Sequence, residues 1–311
     1  ISNSIKKPVI FIMGPTASGK TSLAINLYQT NLIELISVDS VMIYKDCDIG
    51  SAKPSKDELI KAPHHLINKI TVEEIYTASD FYHEAHEIIK AVHNRDRTPV
   101  FVGGTMMYFK SLLDGMDNLP PRNEEFREFL EERAKSKGLE SLYKDLINKD
   151  SRYVSSINQK DKKRIIRALE IIEFSKDDKD DQKKEKLNDR YNLFQYSLVD
   201  TSRKIIHQRI EERLENIITD EFIDEVKNLL GNYDIPKNHP ILKSVNYKQC
   251  IEYLNGEINK ENFYLKSLYA TRQLAKKQAT WINSWKSLEL FELEEINKLE
   301  KTLKKVIHDF K

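Results

Sequence analysis

Gly14-Pro15-Thr16-Ala17-Ser18-Gly19-Lys20-Thr21 follows directly on the apolar run Val9-Ile10-Phe11-Ile12-Met13. The run predicts a buried strand, and Leu23, Ala24 and Leu27 behind the loop predict the inner face of a helix. Between strand and helix, glycines let backbone N–H groups turn inward on phosphate oxygens at the positive end of the helix. Lys20 is placed to reach a terminal phosphate, and the Thr21 hydroxyl to hold Mg²⁺. The stretch predicts a phosphorylated ligand.

Two further apolar runs end in polar residues that could join the loop. Leu35-Ile36-Ser37-Val38 ends at Asp39-Ser40, and Pro99-Val100-Phe101-Val102 ends at Gly103-Gly104-Thr105. Helical periodicity over residues 78–92 separates them. Strand alternating with helix implies an α/β fold with a central parallel sheet and right-handed crossovers, of the P-loop NTPase type. Such sheets bind ligands at the carboxyl ends of their strands. Lys20 and Thr21, Asp39 and Ser40, and Thr105 therefore converge on one edge.

Glycine and proline divide the rest. Six of the nine glycines lie before residue 116, and no proline occurs between Arg122 and Ile235. The middle of the chain thus reads as helices, for instance over 124–136 and 160–174, with the charged run 175–184 as a solvated connector. Phe194-Gln195-Tyr196-Ser197-Leu198-Val199 alternates and reads as a strand rejoining the sheet. Residues 1–117 and 194–311 are expected to form the P-loop core, and 118–193 an all-helical insertion. The last third is expected to be helical, including 203–218 and 263–285.

Composition narrows the class. With 311 residues, 40% hydrophobic and 32% charged, the chain reads as a soluble globular protein with ample core. No apolar run approaches the roughly 20 residues that cross a bilayer, and the first eight residues hold no secretory h-region. Cys47 and Cys250 lack disulfide or zinc spacing, so a cytoplasmic protein with reduced, structural cysteines is expected. Net charge is only +1, but residues 262–288 carry Lys266, Arg272, Lys276, Lys277 and Lys286 with no acid. Lys160, Lys162, Lys163, Arg164 and Arg167 form a second cluster. Both clusters are candidates for a nucleic-acid backbone, or else solvated helix faces.

A P-loop alone serves kinases, NTPases and transferases. Asp39 could ligate Mg²⁺, accept a proton from a nucleophile, or cap the following helix. Gly103-Gly104-Thr105 offers close backbone approach and a hydroxyl, or simply a capped turn. Arg209 and Arg213, one helical turn apart, could reach a diphosphate or pair with Glu212 and Glu215.

Several stretches occur in an order that resembles the tRNA dimethylallyltransferase (tRNA isopentenyltransferase) family, in its bacterial form. Residues 14–21 and Val38-Asp39-Ser40 are followed by Asp48-Ile49-Gly50-Ser51-Ala52-Lys53-Pro54 and Ala62-Pro63-His64-His65-Leu66. Then come Val102-Gly103-Gly104-Thr105-Met106-Met107-Tyr108-Phe109-Lys110 and Arg164-Ile165-Ile166-Arg167-Ala168-Leu169-Glu170. The last, Ala270-Thr271-Arg272-Gln273-Leu274-Ala275-Lys276-Lys277-Gln278-Ala279-Thr280-Trp281, closes a likeness that runs from residue 9 to about 285.

The resemblance implies prenyl transfer from dimethylallyl diphosphate to N6 of the adenosine 3′ of the anticodon. It implies Asp39 as general base and Thr105 on the bridging oxygen of the leaving group. Lys20, Arg213 and Thr21 with Mg²⁺ would stabilise the diphosphate, cradled by Gly14, Pro15, Thr16, Ala17, Ser18 and Gly19. Four segments are implied to touch the tRNA anticodon stem-loop: Asp39-Ser40-Val41-Met42, Lys163-Arg164-Ile165-Ile166-Arg167, Lys243-Ser244-Val245-Asn246-Tyr247-Lys248, and Lys276-Lys277-Gln278-Ala279-Thr280-Trp281-Ile282-Asn283, with Arg272 on a neighbouring row. The target base must leave its stack to react. A monomer without membrane attachment is expected. Trp285 is expected in the core more than on RNA.

The chain departs from the family pattern in three places. Asn246 stands where a glycine is usual before Tyr247, a glycine ahead of Asp224-Glu225-Val226 is replaced by Glu221 and its neighbours, and the run from Ser175 replaces a Thr-Gly-Lys-Pro-like stretch. Asn tolerates positive φ, so the turn at 246 can survive. Competing readings are an adenylate isopentenyltransferase acting on a free nucleotide, a P-loop small-molecule kinase, and an RNA-binding protein with an idle site.

Overall fold

The computed structural model describes residues 6–116, 119–175, 186–199 and 202–310. In chain order the elements are β1 (Pro8–Met13), α1 (Lys20–Tyr28), β2 (Ile33–Val38), α2 (Lys56–Lys61), β3 (His64–His65) and α3 (Ala78–His93). Next come β4 (Thr98–Gly103), α4 (Met106–Asp114), α5 (Glu124–Lys137), α6 (Leu139–Lys149), α7 (Lys162–Phe174) and α8 (Leu187–Arg190). The chain continues through β5 (Asn192–Val199), α9 (Arg203–Ile217), α10 (Asp220–Asn232), α11 (Tyr247–Leu254), α12 (Lys260–Asn283), β6 (Glu289–Glu292) and α13 (Ile296–Asp309).

The expected parallel sheet is present, with six strands in the order β3-β2-β4-β1-β5-β6 and every pairing parallel. β1 is buried at every residue because helices cover both faces, which is why it reads as an unbroken apolar run rather than an alternating one. Its side chains still alternate. Val9, Phe11 and Met13 enter the core under α3, α4 and α9 to α12, whereas Ile10 and Ile12 enter the core under α1 and α13.

Strand order is what assembles the site. β1 lies beside β4, and β4 beside β2, with Met13 in register with Gly103 and Gly103 in register with Val38. The residues that leave these three strands therefore stand side by side. Neighbouring strands are about 4.8 Å apart, so the exits of β1 and β2 are separated by about 10 Å with Gly103-Gly104-Thr105 between them.

Two strands were not foreseen from sequence. β3 is two residues long, held by hydrogen bonding to β2 and by His65 Nε2 against Glu34 Oε2 at 2.7 Å. β6 interrupts the helical C-terminal third and pairs with β5, burying only Phe291. α12 ends at Asn283, so Trp285 lies beyond the helix expected to contain it.

The chain divides into two compact units, one comprising residues 1–116 with 185–311, the other 117–184. Leu187 is buried in the core of the larger unit, so the packing boundary precedes the 193/194 boundary drawn from sequence. In the smaller unit α5, α6 and α7 close around Leu130, Leu142, Leu146, Ile165 and Leu169. Glu170, fully buried there, accepts from Asn123 N–H (2.7 Å), Arg127 and Arg167. Burial would raise its pKa, but these donors outweigh it and hold the carboxyl at about 2. The connector read over 175–184 lies, apart from Ser175, outside the described residues.

Candidate active site

The loop after β1 turns through Ala17 (φ 65°) and Gly19 (φ 86°) before entering α1 at Lys20. Gly14 has no room for a side chain: a Cβ there would sit 2.6 Å from the Leu198 carbonyl. Lys20 Nζ folds back to donate to Pro15 O (2.6 Å) and Ser18 Oγ (3.1 Å). The first-turn N–H groups of α1 have no intrahelical acceptors, so they remain as anion donors.

After β2, Asp39 Oδ1 accepts from Val41 N–H (2.8 Å) and Met42 N–H (3.1 Å). That turn fixes the carboxylate, and no hydrogen bond among the described residues holds Oδ2. Between the two loops, Thr105 Oγ1 accepts from Ser40 N–H at 3.2 Å, which leaves the hydroxyl hydrogen to donate elsewhere. Gly103 permits the approach, since a Cβ there would lie 2.1 Å from Val38 O.

Lys20, Thr21, Asp39, Thr105 and Arg213 line a single cavity of about 460 Å³. Arg213 reaches it from α9, where Ile210, Leu214 and Ile217 are the buried stripe. Arg209, the alternative left open by sequence, is exposed and does not line the cavity. Burial and the neighbouring Arg213 push the Lys20 ammonium down to about 7, partly opposed by Asp39. Burial likewise lowers Arg213, with Asp39 again opposing. Two cations under mutual strain, with one carboxylate opposite, form a site that gains by taking up a polyanion.

Comparison with known proteins decides what shares this arrangement. The family model described as IPP transferase matches residues 42–285. A tRNA dimethylallyltransferase of Acinetobacter baumannii is 42% identical over 292 residues, covering 91% of this chain and 93% of that protein. The chain belongs to the tRNA dimethylallyltransferase family. Among solved structures, the full-length tRNA isopentenylpyrophosphate transferase of Bacillus halodurans is 28% identical with a TM-score of 0.71, covering 98% of both chains. A eukaryotic dimethylallyltransferase acting on tRNA shares the fold at 24% identity and a TM-score of 0.74, over 92% of this chain and 74% of that one.

The dimethylallyltransferase family pattern carried several residues toward RNA that the structure commits elsewhere. Ile165 and Ile166 are core residues of the smaller unit, and Ile282 of α12 is buried in the core of the larger one. Arg167 is tied to Glu170 and to Pro120 O (3.0 Å), and Arg272 to Glu211 on α9. Lys248 is drawn to Glu252 at 3.6 Å. Thr16 N–H donates to Gln278 Oε1 (2.9 Å), so it is not one of the cradle's donors; Pro15 has no N–H to give. Trp285 packs against the core, and its indole N–H donates to Gln195 Oε1 at 2.8 Å.

Other candidates stand where a substrate could meet them. Ser40, Val41, Met42, Lys243, Ser244, Val245, Lys277 and Trp281 all line the cavity. Lys163, Arg164 and Lys276 are exposed on their helices, as are Thr280 and Asn283, while Ala279 is half-buried. Asn246 takes φ 71°, the left-handed conformation for which glycine is usual, and its Nδ2 donates to Gly50 O at 3.0 Å.

One residue that braces the site, without lining the cavity, was missed entirely. Glu225 on α10 accepts from three successive backbone N–H groups, Asp48 (3.0 Å), Ile49 (2.7 Å) and Gly50 (3.2 Å), and from Tyr247 Oη–H (2.8 Å). It fastens the 48–50 loop and the start of α11, two parts of the cavity wall, to each other. Gly50 is required at that contact, because a Cβ would lie 2.3 Å from Phe222.

Proposed function

We propose that this cavity transfers a dimethylallyl group from dimethylallyl diphosphate to N6 of adenosine 37, immediately 3′ of the tRNA anticodon. The observation that carries the reading is the side-by-side exit of three parallel strands into one cavity, with Lys20 and Arg213 at the diphosphate end and Asp39 at the exit of β2, two strands from the phosphate loop. The reacting carbon fits between them, beside Thr105.

In this reading the N6 lone pair attacks the allylic C1, and the C1–O bond breaks with its electron pair going to the bridging oxygen. The N6 proton passes to Asp39. Adenine N6 is a weak nucleophile because its lone pair is delocalised, so a fixed carboxylate at that atom lowers the barrier. Thr105 donates its free hydroxyl hydrogen to the bridging oxygen as charge builds there. Lys20 and Arg213 neutralise the departing diphosphate. As the anion arrives, the Lys20 pKa rises again and the side chain exchanges Pro15 O and Ser18 Oγ for phosphate oxygens.

The Thr21 hydroxyl, a hard oxygen donor at the cavity wall, together with diphosphate oxygens suits Mg²⁺, which would add further neutralisation of the leaving group. The base enters by the face carrying Lys243, Lys277 and Trp281, which is apolar and basic together. Lys163 and Arg164 of the smaller unit are suited to RNA backbone contacts. We expect the protein to act as a monomer and, with tRNA as substrate, in the cytoplasm. Among the described residues no helix is long and apolar enough to cross a membrane.

The deciding experiment is mass spectrometry of nucleosides from tRNA incubated with the protein and dimethylallyl diphosphate. N6-isopentenyladenosine at position 37 is expected. Turnover of AMP but not of a tRNA anticodon stem-loop would replace this reading with the free-nucleotide enzyme, and phosphoryl transfer without prenylation would replace it with a kinase.

A further inference from the structure

Gln278 lies in the α12 segment that family resemblance assigns to RNA, but its side chain points to the donor end of the cavity. Its Oε1 accepts from Thr16 N–H at 2.9 Å and its Nε2 donates to Gly104 O at 2.9 Å. These partners are 262 and 174 residues away in sequence, in the phosphate loop and in the turn that carries Thr105. One planar amide thus closes a bridge between the two loops that must hold the same diphosphate. The fit is tight: a Cβ on Gly104 would lie 2.4 Å from Nε2, so the glycine there makes room for this amide. The next nearest atom to that Cβ position other than Gln278 is Gly14 O, at 3.3 Å.

We propose that Gln278 is a positioning residue for the prenyl donor, setting the spacing between the phosphate loop and Thr105, and is not an RNA contact. An amide is suited to the task because it supplies one acceptor and one donor in a fixed plane. It also engages the Thr16 N–H, so that this donor is turned to the amide and away from the phosphate. The proposal rests on the dimethylallyl-transfer reading, but its central prediction can be read without turnover.

The test uses Gln278→Met, which keeps length but loses both hydrogen bonds, together with Gly104→Ala, Gln278→Ala and the double variant. Inorganic diphosphate binding is measured by calorimetry, stem-loop binding by fluorescence anisotropy, folding by thermal unfolding, and kcat and KM for dimethylallyl diphosphate with the stem-loop saturating. Two net hydrogen bonds correspond to about tenfold or more. Gln278→Met should weaken diphosphate binding and raise donor KM by that factor, with stem-loop affinity within about twofold of wild type. Gly104→Ala should show a similar donor defect, and much of it should disappear in Gly104→Ala/Gln278→Ala relative to Gln278→Ala alone, because the clash partner is gone.

Lost stem-loop affinity with unchanged diphosphate binding would return Gln278 to the RNA interface. Additive defects in the double variant would overturn the bridge. A wild type that binds diphosphate but prenylates nothing would sink the transfer reading, while the calorimetric comparison would still decide the role of Gln278.

Discussion

Asp39→Asn separates the chemistry of the carboxylate from its structural work. Asp39 Oδ1 accepts from Val41 N–H and Met42 N–H, and an asparagine carbonyl oxygen can take both bonds. The turn should therefore survive while the charge and the proton acceptor are lost. Removing a positioned general base costs about 10²–10⁴ in rate, or about 3–5 kcal/mol in the barrier. At the donor end the effect should be of opposite sign. With the two-strand spacing of about 10 Å taken as the separation, a unit charge repels the diphosphate by about 0.4 kcal/mol in water and about 1.7 kcal/mol at an effective dielectric constant of 20, per unit of phosphate charge. Donor binding should thus be unchanged or tighter. Single-turnover prenylation of a tRNA anticodon stem-loop, with donor affinity measured in parallel, reads both effects. Asp39→Ala should do worse than Asp39→Asn in stability, by about 0.5–2 kcal/mol, because it also frees the turn. A variant Asp39→Asn that keeps more than about a tenth of the wild-type rate would refute the base assignment.

Four other perturbations address other parts of the molecule. Lys20 titrates near 7 in the free cavity, so above that pH each diphosphate bound must bring a proton with it. Affinity for inorganic diphosphate should fall by up to about tenfold per pH unit above 7, and Lys20→Met, compared over the same range to cancel the titration of the ligand, should lack that slope. Glu225→Ala leaves three backbone N–H groups and the Tyr247 hydroxyl without their carboxylate; a loss of about 3–5 kcal/mol is expected by denaturant unfolding, and a loss below about 1 kcal/mol would mean water replaces it freely. Glu170 has its folded pKa lowered to about 2, so its contribution is complete above about pH 5 and drains away as pH falls from 4.5 toward 2; wild type should lose stability over that interval and Glu170→Gln should not show that dependence. Lys277→Ala should weaken stem-loop binding and lower the slope of log K against log salt by about 0.7, leaving dimethylallyl diphosphate affinity unchanged.

The donor end of the site was legible because its residues are tied to strand ends by short-range rules. An apolar run, a glycine pattern and a following helix are local features, and parallel topology then brings Asp39 and Thr105 to the same edge as Lys20. The choice of Arg213 over Arg209 needed the family pattern, although the buried stripe of Ile210, Leu214 and Ile217 also selects it: residue 213 belongs to that stripe and 209 lies to one side. β6 escaped because an edge strand that buries only Phe291 between exposed Leu290 and Glu292 carries too little periodicity to stand out from flanking helices. The helix end at Asn283 escaped for a different reason. Nothing in Trp281 to Trp285 breaks a helix by type, yet Trp285 leaves α12 to reach Gln195 on β5.

What sequence could not show was the set of contacts that make the site stiff. Glu225 meets its backbone partners across 175 to 177 residues, and Gln278 meets Thr16 across 262. In each case a single side chain from the C-terminal third satisfies backbone groups in a loop near the N-terminus, and no periodicity or spacing links the two. The functional consequence differs at the two ends. At the acceptor end Glu225 secures the wall that a nucleobase must enter; at the donor end Gln278 sets the gap into which a diphosphate must fit. A fold of this kind divides its labour: strand ends provide the reactive groups, and the helices that close the chain decide how precisely those groups face one another. Replacing the reactive groups should therefore stop catalysis with the protein still folded, whereas replacing the fasteners should misplace a substrate before any bond is made.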